Sequence, residues 1–136
     1  MSQHVTREPI DVGRLVAGVA DPACGAAVVF LGTVRRSEAD GPVVSIEYSA
    51  YEEMLAEEFT RIVGEVAERW PGVVCEAQHR LGDVPTGEPS IGIAVAGPHR
   101  AEAFDACRYV IEEAKQRLPV WKRERFDDGS TRWREE

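Results

Sequence analysis

Apolar side chains recur along this chain in three rhythms, and each predicts a kind of element. From Glu52 to Trp70 they return every three or four residues, at Leu55, Phe59, Ile62, Val63, Val66, Ala67 and Trp70, with Glu and Arg between them. That stripe predicts an amphipathic helix, stopped by Pro71-Gly72. A second long helix is expected from Ala101 to Leu118, with an apolar face of Phe104, Cys107, Val110, Ile111, Ala114 and Leu118. A short helix is expected over Pro9 to Ala20, where Asp11 suits an N-cap and Val12, Leu15, Val16 and Val19 keep helical spacing. Asp21-Pro22 ends it.

The second rhythm has a period of two. Val44, Ile46 and Tyr48 alternate within Val43 to Tyr51, and Ile91, Ile93 and Val95 within Ser90 to Ala96, so each run predicts a strand. The third is continuous. Gly25 to Val34, G-A-A-V-V-F-L-G-T-V, has no polar face and predicts a strand buried on both sides. Gly32 inside it suggests a bulge or a close backbone approach. Val73 to Leu81 is a further strand, and Trp121 to Phe126 and Thr131 to Arg134 are two short ones around the turn Asp127-Asp128-Gly129-Ser130. Arg35 to Pro42 reads as a polar, mobile loop and Gly82 to Pro89 as a turn. Helix, two strands, helix, two strands, helix, two short strands makes an α+β fold. The β-α-β-β-α-β portion is a split βαβ-like mixed sheet with helices packed on one face, hammerhead-like, in a single domain over 1–136.

Charge adds a location to this outline. The net charge is −8. All of it comes from residues 1–98, with seven basic and fifteen acidic side chains; from His99 onward there are nine of each. The overall sign argues against nucleic-acid binding. A small anion would find its site in the C-terminal third or beside Arg35-Arg36. No apolar run approaches the roughly 20 residues that span a bilayer, and Met1 to Ile10 is too polar for a secretory signal, so the expected place is the cytoplasm. Cys24, Cys75 and Cys107 are widely spaced and fit buried thiols rather than a disulfide framework. Neither they nor His4, His79 and His99 show metal-ligand spacing, and G-x-G-x-x-G is absent. The expected chemistry uses no metal and no resident cofactor.

The candidate chemistry rests on lysine. Among sixteen basic residues only Lys115 and Lys122 are lysines, and they flank Leu118-Pro119. The residue before a proline avoids helical backbone angles. Lys115 is therefore expected on the last helical turn and Lys122 on the following strand. An amine can shift its pKa and exchange a proton, which a guanidinium cannot do. The alternative is two solvated lysines in an Arg-rich chain. Arg35, just past a strand, is either a site residue or a loop cation. His99-Arg100 opens the helix that Lys115 closes, and a helix N-terminus with an Arg fork favours an anion. Yet His99 and Lys115 stand about 24 Å apart by the helical rise. A shared site therefore requires a second copy of the chain, that is, a homodimer with a composite pocket.

Several segments carry a more specific resemblance: G-A-A-V-V-F-L-G-T-V-R at 25–35, R-W-P at 69–71, H-R-L-G at 79–82, P-H-R-A-E-A-F at 98–104, K-Q-R-L-P-V-W-K-R-E at 115–124 and D-G-S-T-R-W at 128–133. With them the chain resembles the large, catalytic subunits of molybdopterin synthase, the MoaE family. The resemblance implies a sulfurtransferase of molybdenum cofactor biosynthesis. Such an enzyme passes sulfur from the C-terminal Gly-Gly thiocarboxylate of a small ubiquitin-like subunit to cyclic pyranopterin monophosphate. The product is the dithiolene of molybdopterin. It implies a homodimer of large subunits within a heterotetramer. It also implies Lys115 and Lys122 as catalytic and substrate-binding residues, and Arg35, His99 and Arg100 as substrate-binding residues, the last two supplied by the neighbouring protomer. Two departures stand out. Thr33 occupies a position where relatives often carry Lys, and the chain ends at Glu136, before a further basic residue that relatives often place near the site. Arg134 is not assigned that role. The alternative function is a non-catalytic adaptor that docks a ubiquitin-like tail.

Overall fold

The structure, a computed structural model, describes residues 3–36 and 42–135. The central part of the loop expected at 35–42 lies outside the described residues. In chain order the elements are β1 (Val5–Thr6), α1 (Val12–Gly18), β2 (Ala26–Thr33), β3 (Val43–Ala50), α2 (Glu52–Arg69), β4 (Val74–Arg80), β5 (Gly82–Pro85), β6 (Pro89–Gly97), α3 (Arg100–Arg117), β7 (Val120–Phe126) and β8 (Thr131–Glu135). The class is α+β, as expected. The strands divide between two sheets, ordered β1-β4-β6-β2 and β5-β3-β7-β8. The first is mixed, because β1 runs parallel to β4 while the other pairs are antiparallel.

Helix α2 buries the core of its stripe, and α1 buries Leu15 and Val19 while Val16 stays exposed. In α2, Leu55, Phe59, Ile62 and Val66 are essentially inaccessible. In α1 the Asp11 carboxylate accepts from the Arg14 backbone N–H, so the expected N-cap is in place. Helix α3 turns a different face inward than its large residues suggest. Ala103, Ala106, Cys107, Val110 and Ala114 are buried, while Phe104 is 60% exposed. Small residues let the helix lie close to the sheet: a Cβ added to Gly97 would stand 3.4 Å from the Ala103 methyl.

The continuous apolar run does not mark the most buried strand. β2 is an edge strand whose inner side, Ala26, Val28 and Phe30, packs on the core, while Val29 and Leu31 remain open. The strand buried on both faces is β6, from Ser90 to Gly97. It lies between β4 and β2, with α3 on one side and Ile10, Leu15 and Val19 against Ala94 and Ala96 on the other. The bulge expected at Gly32 is present, with the register shifting between Gly32 and Thr33. A Cβ on Gly32 would meet Ile91 Cγ2 at 2.7 Å, so any larger residue there requires Ile91 to shift.

Two short elements were not visible in the patterning. The Gly82 to Pro89 stretch contains β5, paired with β3. The polar N-terminus supplies β1: the His79 N–H donates to the His4 carbonyl and the Leu81 N–H to the Thr6 carbonyl. His4 is itself buried, with Nδ1 donating to the Ala77 carbonyl at 2.8 Å.

The last turn of α3 is pinned to α2 by one guanidinium. Arg117 donates to both oxygens of Glu65 at 2.7 and 2.8 Å, to Glu58 at 2.7 Å and to Glu113 at 3.1 Å. The Tyr109 hydroxyl also donates to Glu65. These bonds, Arg117 first and Tyr109 second, hold the Glu65 carboxyl at about 2, below its ordinary 4.5. A depressed folded-state pKa contributes stability that is present above the unfolded value and is lost as pH falls through the folded one. Stability measured by urea unfolding should therefore drop as pH falls from 4.5 toward 2. Arg117→Met should lower stability at neutral pH and flatten that acid limb.

Candidate functional site

Leu118 leaves α3 with φ −74 and ψ 130, the extended geometry that the following Pro119 demands. Lys115 thus stands on the last turn of α3, and the chain turns directly into β7. On β7 the side chains of Val120, Lys122 and Glu124 share one face, because successive residues alternate. The register then sets their neighbours. Lys122 pairs with Tyr48 on one side and Arg134 on the other, while Ile46 and Arg132 flank Glu124. Directly opposed residues have Cβ atoms only about 5 Å apart, so Arg134, Lys122 and Tyr48 form one row.

This face closes against the first sheet around a cavity of about 290 Å³. Gly32, Thr33, Val34 and Arg35 form one wall at the end of β2, and His79, Ser90 and Ile91 contribute from β4 and β6. Ala114, Lys115 and Leu118 close it from α3; Lys122, Glu124 and Arg134 come from β7 and β8. Arg35 is held at the mouth by its predecessor. The Val34 N–H donates to the Glu88 carbonyl and its own carbonyl accepts from Gly87, at 3.0 and 2.7 Å.

The cavity is cationic in an acidic chain. Arg35, Lys115, Lys122 and Arg134 line it against one carboxylate, Glu124. That carboxylate is buried and already engaged, with Arg132 at 2.9 Å and Arg134 at 3.4 Å. Two guanidiniums on one buried carboxylate hold β8 to β7 and aim Arg134 at the cavity. Replacing Glu124 with Gln should cost about 1.5–3 kcal/mol, since hydrogen bonds to charged groups contribute that much. Chemical denaturation of the variant checks this, and the loss should shrink when Arg134 is also replaced.

Three of the five residues singled out from the sequence, Arg35, Lys115 and Lys122, meet in this cavity. His99 and Arg100 do not join them within one chain. His99 is the N-cap of α3 and Arg100 its first residue, at the end opposite Lys115 and about 24 Å away by the helical rise. Both are exposed, with His99 Nδ1 3.6 Å from Glu102. Sequence reasoning missed Tyr48, His79, Glu124 and Arg134. Period-two alternation puts Glu124 on the face of Lys122, so that residue was recoverable. Tyr48 and His79 meet only because two sheets face each other.

The thiols play no part in the cavity. Burial pushes the Cys75 thiol up to about 12 and the Cys107 thiol up to about 11, far from nucleophilic at neutral pH. Among the described residues no cluster of His, Cys, Asp and Glu could hold a metal ion, and no helix is long and apolar enough to cross a membrane.

Comparison with known proteins identifies the family and the fold. The family model described as MoaE protein matches residues 5–117. A molybdopterin synthase catalytic subunit from Nostoc sp. is 41% identical over 95% of this chain and 79% of its own length. Relatives of the same name from Drosophila are longer, and the chain spans 35% of the one from Drosophila willistoni. The crystal structure of molybdopterin synthase from Staphylococcus aureus superposes with a TM-score of 0.93 and 33% identity, covering 98% of both chains. A protein–protein complex of subunits 1 and 2 of molybdopterin-converting factor from Helicobacter pylori superposes with a TM-score of 0.79 and 25% identity, covering 97% of this chain and 89% of that one. The match spans both ends of α3, where the sequence signals are concentrated, and on this footing the chain belongs to the MoaE family.

Proposed function

We propose that the chain is the catalytic subunit of a molybdopterin synthase. In this reading it is one domain over 1–136 and works in the cytoplasm. It receives the C-terminal Gly-Gly thiocarboxylate of a small ubiquitin-like carrier and passes the sulfur to cyclic pyranopterin monophosphate; two such transfers, from two carriers, form the dithiolene. The observation that carries the reading is the convergence of Arg35, Lys115 and Lys122, from three separate elements, on one cavity. A cyclic phosphate is an anion that gains a second charge as its ring opens to a monoester, and a thiocarboxylate is itself an anion, so both call for such a cluster.

The residues divide the work by position. Arg35 and Lys122 hold the substrate phosphate, with a guanidinium fork suited to its oxygens. Lys115 lies on the last turn of α3, where the helix dipole already favours a cation. It holds the thiocarboxylate end and stabilises charge as sulfur bonds to the substrate carbon, after which water cleaves the acyl–sulfur bond and the carrier leaves as a carboxylate. Lys122 also exchanges a proton as the cyclic phosphate opens.

His99 and Arg100 of a second copy complete the pocket, which makes a homodimer the core of the assembly, with one carrier at each end of a heterotetramer. Exposed apolar surface supports this. Phe104 stands one turn after Arg100, on the same helix face, and Val29 and Leu31 open on the edge strand β2. The purified chain, mixed with a thiocarboxylated carrier and cyclic pyranopterin monophosphate, should yield molybdopterin. Tight binding of the carrier without dithiolene formation would instead identify an adaptor.

A further inference from the structure

One short turn, 86–88, joins the two sheets beside Arg35. It lies between β5 and β6. Toward the first sheet, the Glu88 carbonyl accepts from the Val34 N–H at 3.0 Å, and the Gly87 N–H donates to the Val34 carbonyl at 2.7 Å. Toward the second, the Thr86 N–H donates to the Val44 carbonyl at 3.0 Å and its Oγ1 to the Val43 carbonyl at 2.6 Å. Val34 follows the last residue of β2, and Val43 opens β3. Both valines are 2% exposed. The sheets that enclose the cavity are therefore tied together one residue away from its guanidinium.

The turn has a buried anchor. Arg80, the last residue of β4, donates from Nη1 to Glu88 Oε1 at 2.8 Å. Arg80 is 9% exposed, and among the described residues its Nε has no hydrogen-bond partner. A buried guanidinium with an unpaired N–H destabilises a fold, so packing alone gives no reason for arginine here. The bond to Glu88 does, because Glu88 holds Val34. We infer that Arg80 and Thr86 are positioning residues of the synthase site: from opposite sheets they fix the 86–88 turn, and the turn sets the backbone from which Arg35 reaches the substrate phosphate. The inference rests on the proposed synthase activity. Arg80 is not one of the described residues that line the cavity, so it acts through Glu88.

Arg80→Met keeps an apolar stem and removes the bond to Glu88. It should raise KM for cyclic pyranopterin monophosphate about 3- to 30-fold, because a misplaced cation loses part of its bond to the phosphate. Arg35→Ala loses the whole bond and should raise that KM about 10- to 100-fold. KM for the thiocarboxylated carrier should stay at the wild-type value, since Lys115 stands on α3, outside this chain of bonds. Arg80→Lys keeps a cation facing Glu88 and should recover part of the loss.

A double-mutant cycle separates positioning from packing. If Arg80 acts by placing Arg35, Arg80→Met added to Arg35→Ala should leave KM where Arg35→Ala alone puts it. Wild-type KM in folded Arg80→Met protein, equal rises in the two KM values, or losses that multiply in the double variant would each overturn the inference. If Arg80→Met does not fold, Thr86→Val decides. Thr86 is exposed, and valine keeps its branched shape while removing the Oγ1 bond to Val43. Its KM for the substrate should rise about 2- to 10-fold, the range for one neutral hydrogen bond, and again add nothing to Arg35→Ala. An unchanged KM, or a loss that multiplies, overturns the inference here too. Wild-type protein that makes no molybdopterin removes the synthase reading and this inference together, an outcome distinct from an active enzyme whose two losses multiply.

Discussion

Replacing Lys115 with Ala is expected to slow dithiolene formation by about 10²- to 10⁴-fold, the range that a positioned proton-transfer or charge-stabilising group contributes. Folding should survive. Lys115 is exposed on the last turn of α3, and Ala is the better helix former. Arg117 ties this turn to α2 through Glu58 and Glu65. Single-turnover reactions with thiocarboxylated carrier measure the effect without interference from carrier release. Lys115→Arg should restore little, because a guanidinium keeps the charge but spreads it over a rigid fork and cannot give up a proton. A Lys115→Ala protein working at the wild-type rate would remove the residue from the mechanism. Lys122→Ala should also be slow, with the loss divided between KM and kcat, since Lys122 is assigned both to substrate binding and to proton exchange.

Arg100→Ala should weaken the substrate by about 10- to 100-fold in KM, the loss expected for one charge-assisted hydrogen bond to phosphate. Within one chain this result makes no sense. Arg100 is exposed at the start of α3 and about 24 Å from Lys115 by the helical rise. No small ligand spans that distance. The effect follows only if the start of α3 in one copy meets the end of α3 in another, as a two-fold dimer allows. The same geometry predicts that dilution below the dimer dissociation constant raises KM even in the wild-type protein. Kinetics across a concentration series, read beside the sedimentation of the same samples, would show the two changes moving together.

How much of this was legible in the sequence differs from element to element. Helix α2 was readable almost to the residue, because Leu55, Phe59, Ile62 and Val66 bury one stripe and nothing competes with it. The end of α3 was readable because a proline dictates the backbone of Leu118. The rank of the strands was not. An edge strand that buries one face and leaves Val29 and Leu31 open has the same apolar run as a central one. β6 lies at the centre although its sequence alternates, because its polar positions are the small residues Ser90, Gly92, Ala94 and Ala96. Phe104 was placed inside by its helical spacing from Cys107 and Ile111, and the small residues beside it took that place.

The site divides along the same line. Lys115 and Lys122 stood out because this chain otherwise uses arginine, and Arg35 because it follows a buried strand end. Each signal is local. His79 and Tyr48 carry no local signal: they lie on different sheets and come together only when the sheets face each other. Arg134 joins the cavity through strand register with Lys122 and through Glu124, neither of which a motif records.

Mixing two crippled proteins tests the shared pocket most directly. Lys115→Ala and Arg100→Ala are prepared separately, combined, and allowed to exchange subunits, with native mass spectrometry confirming that mixed dimers form. Random reassortment makes about half the dimers mixed, and each mixed dimer has one site with both residues and one with neither, as two-fold symmetry requires. With substrate well below the wild-type KM, where the rate follows kcat/KM, activity should therefore rise from a few per cent or less to about a quarter of the wild-type value. Mixed dimers that form in the expected proportion and recover no activity would mean that both residues serve the same chain, and the composite site would be contradicted.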